Sequence, residues 1–227
     1  MRFFVIKRKS LCIGLVILLA FASIVSFAVT VATATPKPQY TIIIDAGHGG
    51  IDPGCEGTLE GSNERELNLH YAKTLKRYFE TYGFNVVMTR TTTDGLYSSF
   101  AQNKKKDDML KRKEIIDKAD ADLILSIHMN AFPQTSVRGA QVYYNPESEV
   151  STNLAQSIQE TFVSDLPQAK KNPGIGDYYI LNCSNTPAVI VECGFLSNPE
   201  EEKLLLSQDY QEKVCYSILC GVIKYFG

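Results

Sequence analysis

Residues 41–54 read TIIIDAGHGGIDPG, an apolar run that ends in a histidine set among glycines. Three consecutive isoleucines are typical of a strand that is covered on both faces of a sheet. His48 comes just after the end of this strand, and the glycines on either side of it leave room for backbone or a ligand to come close. Because the chain has only three histidines, the end of this first strand is a candidate functional site.

Short apolar runs alternate with amphipathic segments along the rest of the chain. This alternation predicts an α/β fold, a single domain with a twisted, mostly parallel sheet of about six strands flanked by helices. The predicted strands are Thr41–Ala46, Phe84–Arg90, Asp122–His128, Ala140–Asn145, Tyr178–Leu181 and Ala188–Glu192. The predicted helices are about Asn63–Tyr82, Asp108–Ala119, Glu149–Ser164, Pro199–Leu206 and Tyr210–Phe226, with a mobile loop at residues 91–107.

The N-terminal segment has the features of an export signal. Residues 11–34 contain no charged side chain, and the ten residues before them contain four basic and no acidic ones. An apolar run of this length can span a bilayer as a helix, and its basic flank predicts a cytoplasmic N-terminus. The sequence Ala32-Thr33-Ala34 fits a cleavage site, so residues 1–34 are either a signal peptide or a retained membrane anchor. Residues 35–39 then form a linker, and residues 40–227 form the working domain outside the cytoplasm.

Charge and cysteine usage narrow the class of protein. Residues 1–34 hold four of the 23 Lys and Arg and none of the 25 Asp and Glu, so the remainder carries a net charge of −6. That balance argues against nucleic acid as a partner. The five cysteines that follow this segment are an odd number and contain no CxxC pattern. We therefore expect small buried hydrophobic side chains rather than a disulfide framework or a cysteine zinc site.

Two more chemically capable side chains end buried strands. His128 closes the run DLILSIH and Glu192 closes AVIVE, so that with His48 three such residues stop three separate strands at their carboxyl ends. Ligands bind at this edge of open α/β sheets. Two histidines and one carboxylate, with an open position for water, are typical of catalytic zinc. The sequence therefore predicts one zinc ion held by His48, His128 and a carboxylate.

The third ligand must come from a loop or from the start of a helix. Glu64 and Glu66 in GSNERELNLH are the candidates; position gives a preference for Glu64, but spacing alone leaves both open. His70 lies further along the same predicted helix, and we expect it on the helix surface. Glu192 then has a separate role, because zinc lowers the pKa of a water in its open position. A carboxylate beside that water can take its proton and later deliver one to a leaving amine.

Six ordered stretches of the chain carry a resemblance to a known family. They read IIIDAGHGGIDPGCEG, NERELNL, VVMTR, RKEIIDKADADLILSIHMNA, GAQVYY and PAVIVECGFLSNPEEEKLL. Together they resemble the zinc-dependent N-acetylmuramoyl-L-alanine amidases of the amidase 3 family. The resemblance implies zinc ligands at His48, Glu64 and His128, and a catalytic carboxylate at Glu192. It also implies hydrolysis of the amide between the lactyl group of N-acetylmuramic acid and the L-alanine of the stem peptide.

An export segment followed by a bare catalytic domain resembles the CwlD-like type of this family, which acts in germination on spore cortex. That resemblance implies peptidoglycan as the substrate and a deacetylase that acts downstream on the product. It places the enzyme on the outer face of the cytoplasmic membrane, or secreted to the cell wall or cortex. No wall-binding repeat or inhibitory helix is visible, so we expect a separate activating or localising protein. Two alternatives stay open, namely a zinc carboxypeptidase acting on stem peptides and a non-catalytic wall-binding protein.

Five further residues receive an interpretation. Arg90 and Arg112 match family positions, and we expect them in structural ion pairs. Asp117 and Asn182 depart from the family pattern, which affects substrate contacts rather than the chemistry. Cys193 follows Glu192 on a predicted strand, so its side chain should point to the opposite face and into the packing. That orientation argues against a cysteine hydrolase.

Overall fold

The structure is a computed structural model that describes residues 40–59 and 62–227. The predicted export segment (residues 1–34) and the predicted linker (residues 35–39) lie outside the described residues. Among the residues that are described, no helix combines the length and the apolar character that crossing a bilayer requires.

Six strands form one sheet. They are β1 (Thr41–Ala46), β2 (Asn85–Met88), β3 (Leu123–Asn130), β4 (Gln141–Tyr144), β5 (Gly174–Ile175) and β6 (Ala188–Phe195). Their order across the sheet is β2-β1-β3-β6-β4-β5. Every neighbouring pair is parallel except β4 and β6, which are antiparallel. The predicted α/β fold with a mostly parallel sheet is confirmed.

Helices cover both faces of this sheet. They are α1 (Glu64–Thr81), α2 (Lys104–Ala119), α3 (Glu149–Asp165), α4 (Tyr179–Asn182), α5 (Pro199–Leu205) and α6 (Gln208–Phe226). Side-chain caps fix where the longer ones begin, because an oxygen on the preceding residue accepts from a backbone N–H that has no partner inside the helix. Asn63 caps α1 in this way by accepting from the amide of Glu66 at 3.1 Å. Glu64 is therefore the first residue of its helix.

Two predictions about these elements are wrong. Tyr178–Leu181 is not a strand: the Leu181 amide donates to the Tyr178 carbonyl at 3.0 Å, closing a turn that continues as α4. Ile180 and Leu181 are both buried, a pattern that alternation along a strand would not give. The loop predicted at residues 91–107 is too long, because α2 already begins at Lys104 behind a cap from Asn103.

The sheet carries an apolar layer on each face, and the isoleucines of β1 serve both. Ile42 and Ile44 lie in the larger layer, which α1, α3 and α6 cover. Ile43 lies in the smaller layer with side chains of α2 and α4. Since β1, β3 and β6 are parallel, their carboxyl ends meet at one edge between these layers. That edge is where the predicted site residues lie.

Candidate metal centre

Four elements bring the predicted residues to one place. His128 on β3 lies directly opposite Glu192 on β6 in the register of the two parallel strands. His48 follows the end of β1, and Glu64 is the first residue of α1. Glu66, the other candidate ligand, is exposed on the outer side of the same helix.

Three of these side chains converge on a point. The Oε1 atom of Glu64 lies 3.1 Å from Nε2 of His48 and 2.8 Å from Nδ1 of His128. The two imidazole rings have centroids 4.9 Å apart and stand at 76° to each other. One potential ligand atom from each of the three residues lies within 4.8 Å of the other two. All three could therefore bind the same ion.

Two glycines make room for this cluster. A Cβ atom on Gly47 would lie 2.2 Å from Nε2 of His128, and one on Gly54 would lie 2.4 Å from Oε2 of Glu64. Gly54 also has φ +70°, in the left-handed region that favours glycine. Gly47, which precedes His48, therefore also makes room for the ring of His128, another predicted ligand.

The backbone at His48 is held in an uncommon conformation. His48 has φ +62°, in a region that non-glycine residues rarely occupy and only when their surroundings enforce it. Arg112 donates to the His48 carbonyl and, at 2.9 Å, to that of Ala46. Arg90 donates at 2.8 Å to the carbonyls of Ala46 and Gly47. Two guanidinium groups therefore hold three consecutive carbonyl groups of this turn.

The two arginines differ from each other in their partners. Arg112 forms ion pairs with Asp45, at 2.5 Å, and with Asp108, at 2.7 Å, as predicted. The ion-pair prediction for Arg90 is wrong: among the described residues its guanidinium group donates to carbonyl oxygens instead, because it reaches the turns around the site rather than an acid. Its acceptors are the carbonyls of Ala46, Gly47, Arg65 and Thr92.

A buried carboxylate anchors this arrangement under the site. Asp45 is 2% exposed and accepts hydrogen bonds from Ser126 at 2.6 Å and from Thr89 at 2.7 Å. Burial opposes its ionisation, but the Arg112 guanidinium group and the two hydroxyl groups outweigh that effect and lower the pKa of Asp45 to about 2. Asp45 is therefore ionised at any physiological pH.

The predicted ligands have the charge and the partners that a metal site needs. Burial disfavours the ionised form of Glu64, but hydrogen bonds with His128 and His48 hold the pKa of this carboxyl group well below its usual range. Its Oε2 also accepts from the amide of Cys55 at 2.9 Å. A fixed carboxylate and two imidazoles form a donor set that suits zinc.

Asp52, which the sequence did not single out, lies beside His48. Asp52 Oδ1 lies 3.0 Å from Nδ1 of His48, on the ring edge opposite the nitrogen that faces Glu64. Burial lowers the pKa of His48, but Glu64 and Asp52 outweigh it and raise that pKa. A carboxylate near the second nitrogen of a histidine ligand is usual in metal sites. Here the contact is one of charge, because Nδ1 of His48 has no hydrogen-bond partner within the described part of the chain. The signal was present as an acid four residues after the histidine.

Glu192 carries a buried oxygen that needs a partner. Its Oε2 is buried and has no hydrogen-bond partner within the described part of the chain. Burial raises the pKa of Glu192, and the negative charge of Glu64 adds to this effect. The two nearby histidines oppose it, and the resulting pKa is about 7. A buried polar atom without a partner calls for a bound water, ion or substrate. The site thus fits a metal and its attendant water between the cluster and Glu192.

The remaining predicted residues lie away from this cluster. His70 is exposed on α1, as expected. Cys193 is fully buried in the larger apolar layer, on the face of β6 away from Glu192. It is a free cysteine, as are Cys55 and Cys215. The orientation predicted for Cys193 is confirmed.

The domain as a whole is similar to known proteins. Residues 42–224 match the family described as N-acetylmuramoyl-L-alanine amidase, Amidase_3. The chain belongs to this family. It is 33% identical over 195 residues to the germination-specific N-acetylmuramoyl-L-alanine amidase of Bacillus subtilis (strain 168), which covers 84% of this chain and 81% of that protein.

Two solved structures share the fold. The CwlD amidase from Clostridioides difficile, in complex with the GerS lipoprotein, has a TM-score of 0.79 at 37% identity, over 83% of this chain and 98% of that one. The N-acetylmuramoyl-L-alanine amidase from Clostridium difficile 630 has a TM-score of 0.74 at 32% identity, over 83% of this chain and 97% of that one.

These similarities confirm the predicted family and reaction. The chain is a peptidoglycan hydrolase that cleaves the amide between the lactyl group of N-acetylmuramic acid and the L-alanine of the stem peptide. The carboxypeptidase and the non-catalytic wall-binding protein are therefore set aside.

Proposed function

We propose that this amidase is zinc-dependent, with one ion held by His48, Glu64 and His128 and with Glu192 as the catalytic carboxylate. The single observation that supports this most is the position of Glu64 Oε1, within 3.1 Å of a nitrogen of each histidine. Glu192 lies beside them, opposite His128 in the strand register. The proposed ligand set leaves a position open for water and substrate.

Each residue has a defined part in the reaction. Zinc, when bound, supplies a Lewis acid that polarises the amide carbonyl and makes water more acidic. Glu192 accepts the proton of the attacking water, and it then delivers a proton to the nitrogen of the departing L-alanine. Asp52 lies 3.0 Å from Nδ1 of His48, so its negative charge stabilises the His48 ring while Nε2 faces Glu64. A pKa near neutrality suits Glu192 to both transfers.

Metal content measured together with hydrolysis tests this proposal. Wild type should bind one zinc per chain and release peptides with a free L-alanine amine from peptidoglycan. His128→Ala should lose both zinc and activity, whereas Glu192→Gln should keep zinc and lose about 10²- to 10⁴-fold in activity. His70→Ala is the matched control, because the third histidine is exposed on α1. Full zinc content in His128→Ala would contradict the ligand assignment.

We further propose that the enzyme acts outside the cytoplasm, on spore cortex, as the similar germination-specific amidase and the similar CwlD amidase suggest. Residues 1–34 direct the export, residues 35–39 are a linker, and the domain from residue 40 carries the activity. The product exposes the muramic acid carboxyl group for a deacetylase that works next, toward muramic-δ-lactam. Spores that lack this chain should have no muramic-δ-lactam in their cortex, and unchanged lactam content would count against the proposal.

A separate protein is proposed to activate or localise the enzyme. The similar CwlD amidase was solved together with the GerS lipoprotein, which supports a partner of this kind. Activity of the purified chain on isolated peptidoglycan, supplied with zinc alone, tests the idea. A partner is supported if the activity is low and rises when proteins extracted from the outer face of the cytoplasmic membrane are added. Full specific activity without any addition argues against a partner.

A further inference from the structure

Three tyrosines beside the metal centre have no part in the chemistry proposed above. The rings of Tyr143, on β4, and Tyr178, just before α4, pack edge to face with centroids 6.3 Å apart at 88°. Tyr178 is 47% exposed and its neighbour Tyr179 is 46% exposed. We name Tyr143, Tyr178 and Tyr179 the tyrosine wall. Large aromatic side chains left half-exposed next to a cleft are a common feature of ligand sites.

Two glycines, one in β5 and one just after it, leave room for the rings of this wall. A Cβ atom on Gly174 would lie 2.5 Å from Cε1 of Tyr143, and one on Gly176 would lie 2.4 Å from Cε2 of Tyr178. Neither glycine needs a left-handed backbone, so the requirement is for space under the rings. The stretch GIGDYY (residues 174–179) thus contains two glycines that make room for tyrosine rings and two exposed tyrosines. A loop that only connects two elements would not need this combination.

The wall connects a cavity to the catalytic carboxylate. A cavity of about 280 Å³ borders His48 and His128, and its apolar side is formed by Met109, Tyr178, Tyr179, Ile180 and Ile190. On the other side, β4 pairs with β6 so that Gln141 lies opposite Glu192 and Tyr143 lies opposite Ile190. The Tyr143 hydroxyl donates to the side chain of Gln141 at 3.1 Å. One end of the wall therefore lies next to Glu192.

The chemistry around the wall favours a neutral ligand. Two basic side chains lie near it, and each is paired with acidic ones. Lys113, near Tyr179, pairs with Asp117, and Arg112, which lines the cavity, pairs with Asp45 and Asp108. Lys105 at the far side of the cavity is 3.2 Å from Asp52, which offsets its charge. The stem peptide carries carboxylates, which these paired charges attract only weakly, whereas the glycan side of the scissile amide is neutral. The C–H bonds on the flat face of a pyranose pack well on the electron-rich face of a tyrosine ring.

We propose that the tyrosine wall binds the sugar ring of the muramic acid, on the glycan side of the scissile amide, and that Tyr178 is a specificity-determining residue. This inference rests on the proposed function, because it requires Glu192 to act at the end of the wall. According to this proposal, the enzyme recognises the glycan directly as well as the amide bond that it cleaves.

Two substrates with the same scissile bond test the proposal. One is a muramoyl peptide, and the other is the D-lactoyl peptide, which lacks the sugar ring. The ratio of kcat/KM for the muramoyl peptide to kcat/KM for the lactoyl peptide should fall about tenfold in Tyr178→Ala. It should stay near the wild-type ratio in Tyr178→Phe, which keeps the ring, and in Tyr82→Ala, which removes a tyrosine that is 52% exposed at the end of α1. An unchanged ratio in Tyr178→Ala would overturn the proposal.

A binding measurement separates this inference from the catalytic one. The probe is the peptide-free disaccharide of N-acetylglucosamine and N-acetylmuramic acid with its lactyl carboxyl group capped as a primary amide, which keeps it neutral. It is titrated into the zinc-loaded full chain by calorimetry. Wild type and Glu192→Gln should bind it alike, and Tyr178→Ala about tenfold more weakly. If Glu192→Gln stays active, the catalytic proposal fails while the binding result still stands. If wild type does not bind the disaccharide, the tyrosine wall is not a sugar site, whatever the activity.

Discussion

At the scale of single residues, the site depends on atoms that are absent as much as on those present. Gly47 and Gly54 leave the space that His128 and Glu64 fill. The sequence predicted His48, His128 and Glu192 because each stands at or just after a strand end, whereas only the family resemblance chose Glu64 over Glu66. It could not show that Gly47 seats His128, since the two residues are 81 positions apart and meet only when β1 and β3 pair. Asp52 was missed for a related reason, because a loop conformation turns it back onto His48.

The first prediction concerns Gly47. Gly47→Ala places a methyl group against the His128 ring, and backbone on both sides limits how far either can move. We expect zinc affinity to fall at least about tenfold, since a ligand moved from its place loses a large share of its binding. Zinc titration with a competing chelator measures this effect. Gly83→Ala is the control, because a Cβ there meets open space even though its φ of +85° also favours glycine. Equal zinc affinity in Gly47→Ala and wild type would contradict the assignment.

At the scale of elements, strands whose burial determines their conformation were predicted correctly, whereas segments whose conformation depends on short-range turns were not. β1 was predicted to its ends because three isoleucines covered on both faces precede a glycine. The run at Tyr178–Leu181 is too short to distinguish a strand from a helix by periodicity. β5 has two residues and exists because it pairs with β4, which no local pattern reveals. The ion pair of Arg112 and Asp45 joins α2 to β1, and it makes the stability of the fold depend on pH.

The second prediction concerns that ion pair. Asp45 has a pKa of about 2 against an ordinary value of 3.8, so its ionised form stabilises the fold above about pH 4. This stabilisation, about 2 kcal/mol, is lost as the pH falls from about 4 to about 2. Asp45→Asn should lower the free energy of unfolding near neutrality by about 3–5 kcal/mol, because it leaves Arg112 buried without its partner. Urea unfolding at several pH values measures both effects.

The comparison of wild type with Asp45→Asn at each pH decides this prediction. Other carboxylates also titrate below pH 5, so wild type alone is not informative. The difference in unfolding free energy between wild type and Asp45→Asn should shrink by about 2 kcal/mol between about pH 4 and about pH 2. A difference that stays constant over this range would show that the Asp45 carboxylate does not stabilise the fold through its charge.

At the scale of the whole molecule, the parallel sheet collects residues that the chain scatters from position 48 to position 192. β1, β3 and β6 end at one edge, and α1 begins over it. The family resemblance could predict this meeting, because six ordered stretches match. The tyrosine wall could not be predicted, because its tyrosines come from β4 and from the beginning of α4, and the latter segment was taken for a strand.

The third prediction follows from the contacts that the proposed ion makes to three elements. Zinc that binds only the folded chain should stabilise it by about 2.7 kcal/mol when free zinc is about 100-fold above its Kd. For a domain of this size the corresponding rise in Tm is about 5–10 °C. Calorimetry with zinc and with a chelator measures the shift, which Glu192→Gln should keep and Glu64→Gln should lose. Glu66→Gln is the matched control on the same helix, and a shift that survives in Glu64→Gln would contradict the site.

The most direct test is the X-ray absorption spectrum of the zinc-loaded chain. The assignment of His48, Glu64 and His128 predicts two imidazole nitrogens and one carboxylate oxygen at about 2.0–2.2 Å, with a further light atom from water. Cys55 is the nearby alternative, because its amide already donates to Glu64 and its thiol lies at the end of β3. A sulfur at about 2.3 Å, or a single imidazole, would contradict the proposed metal centre.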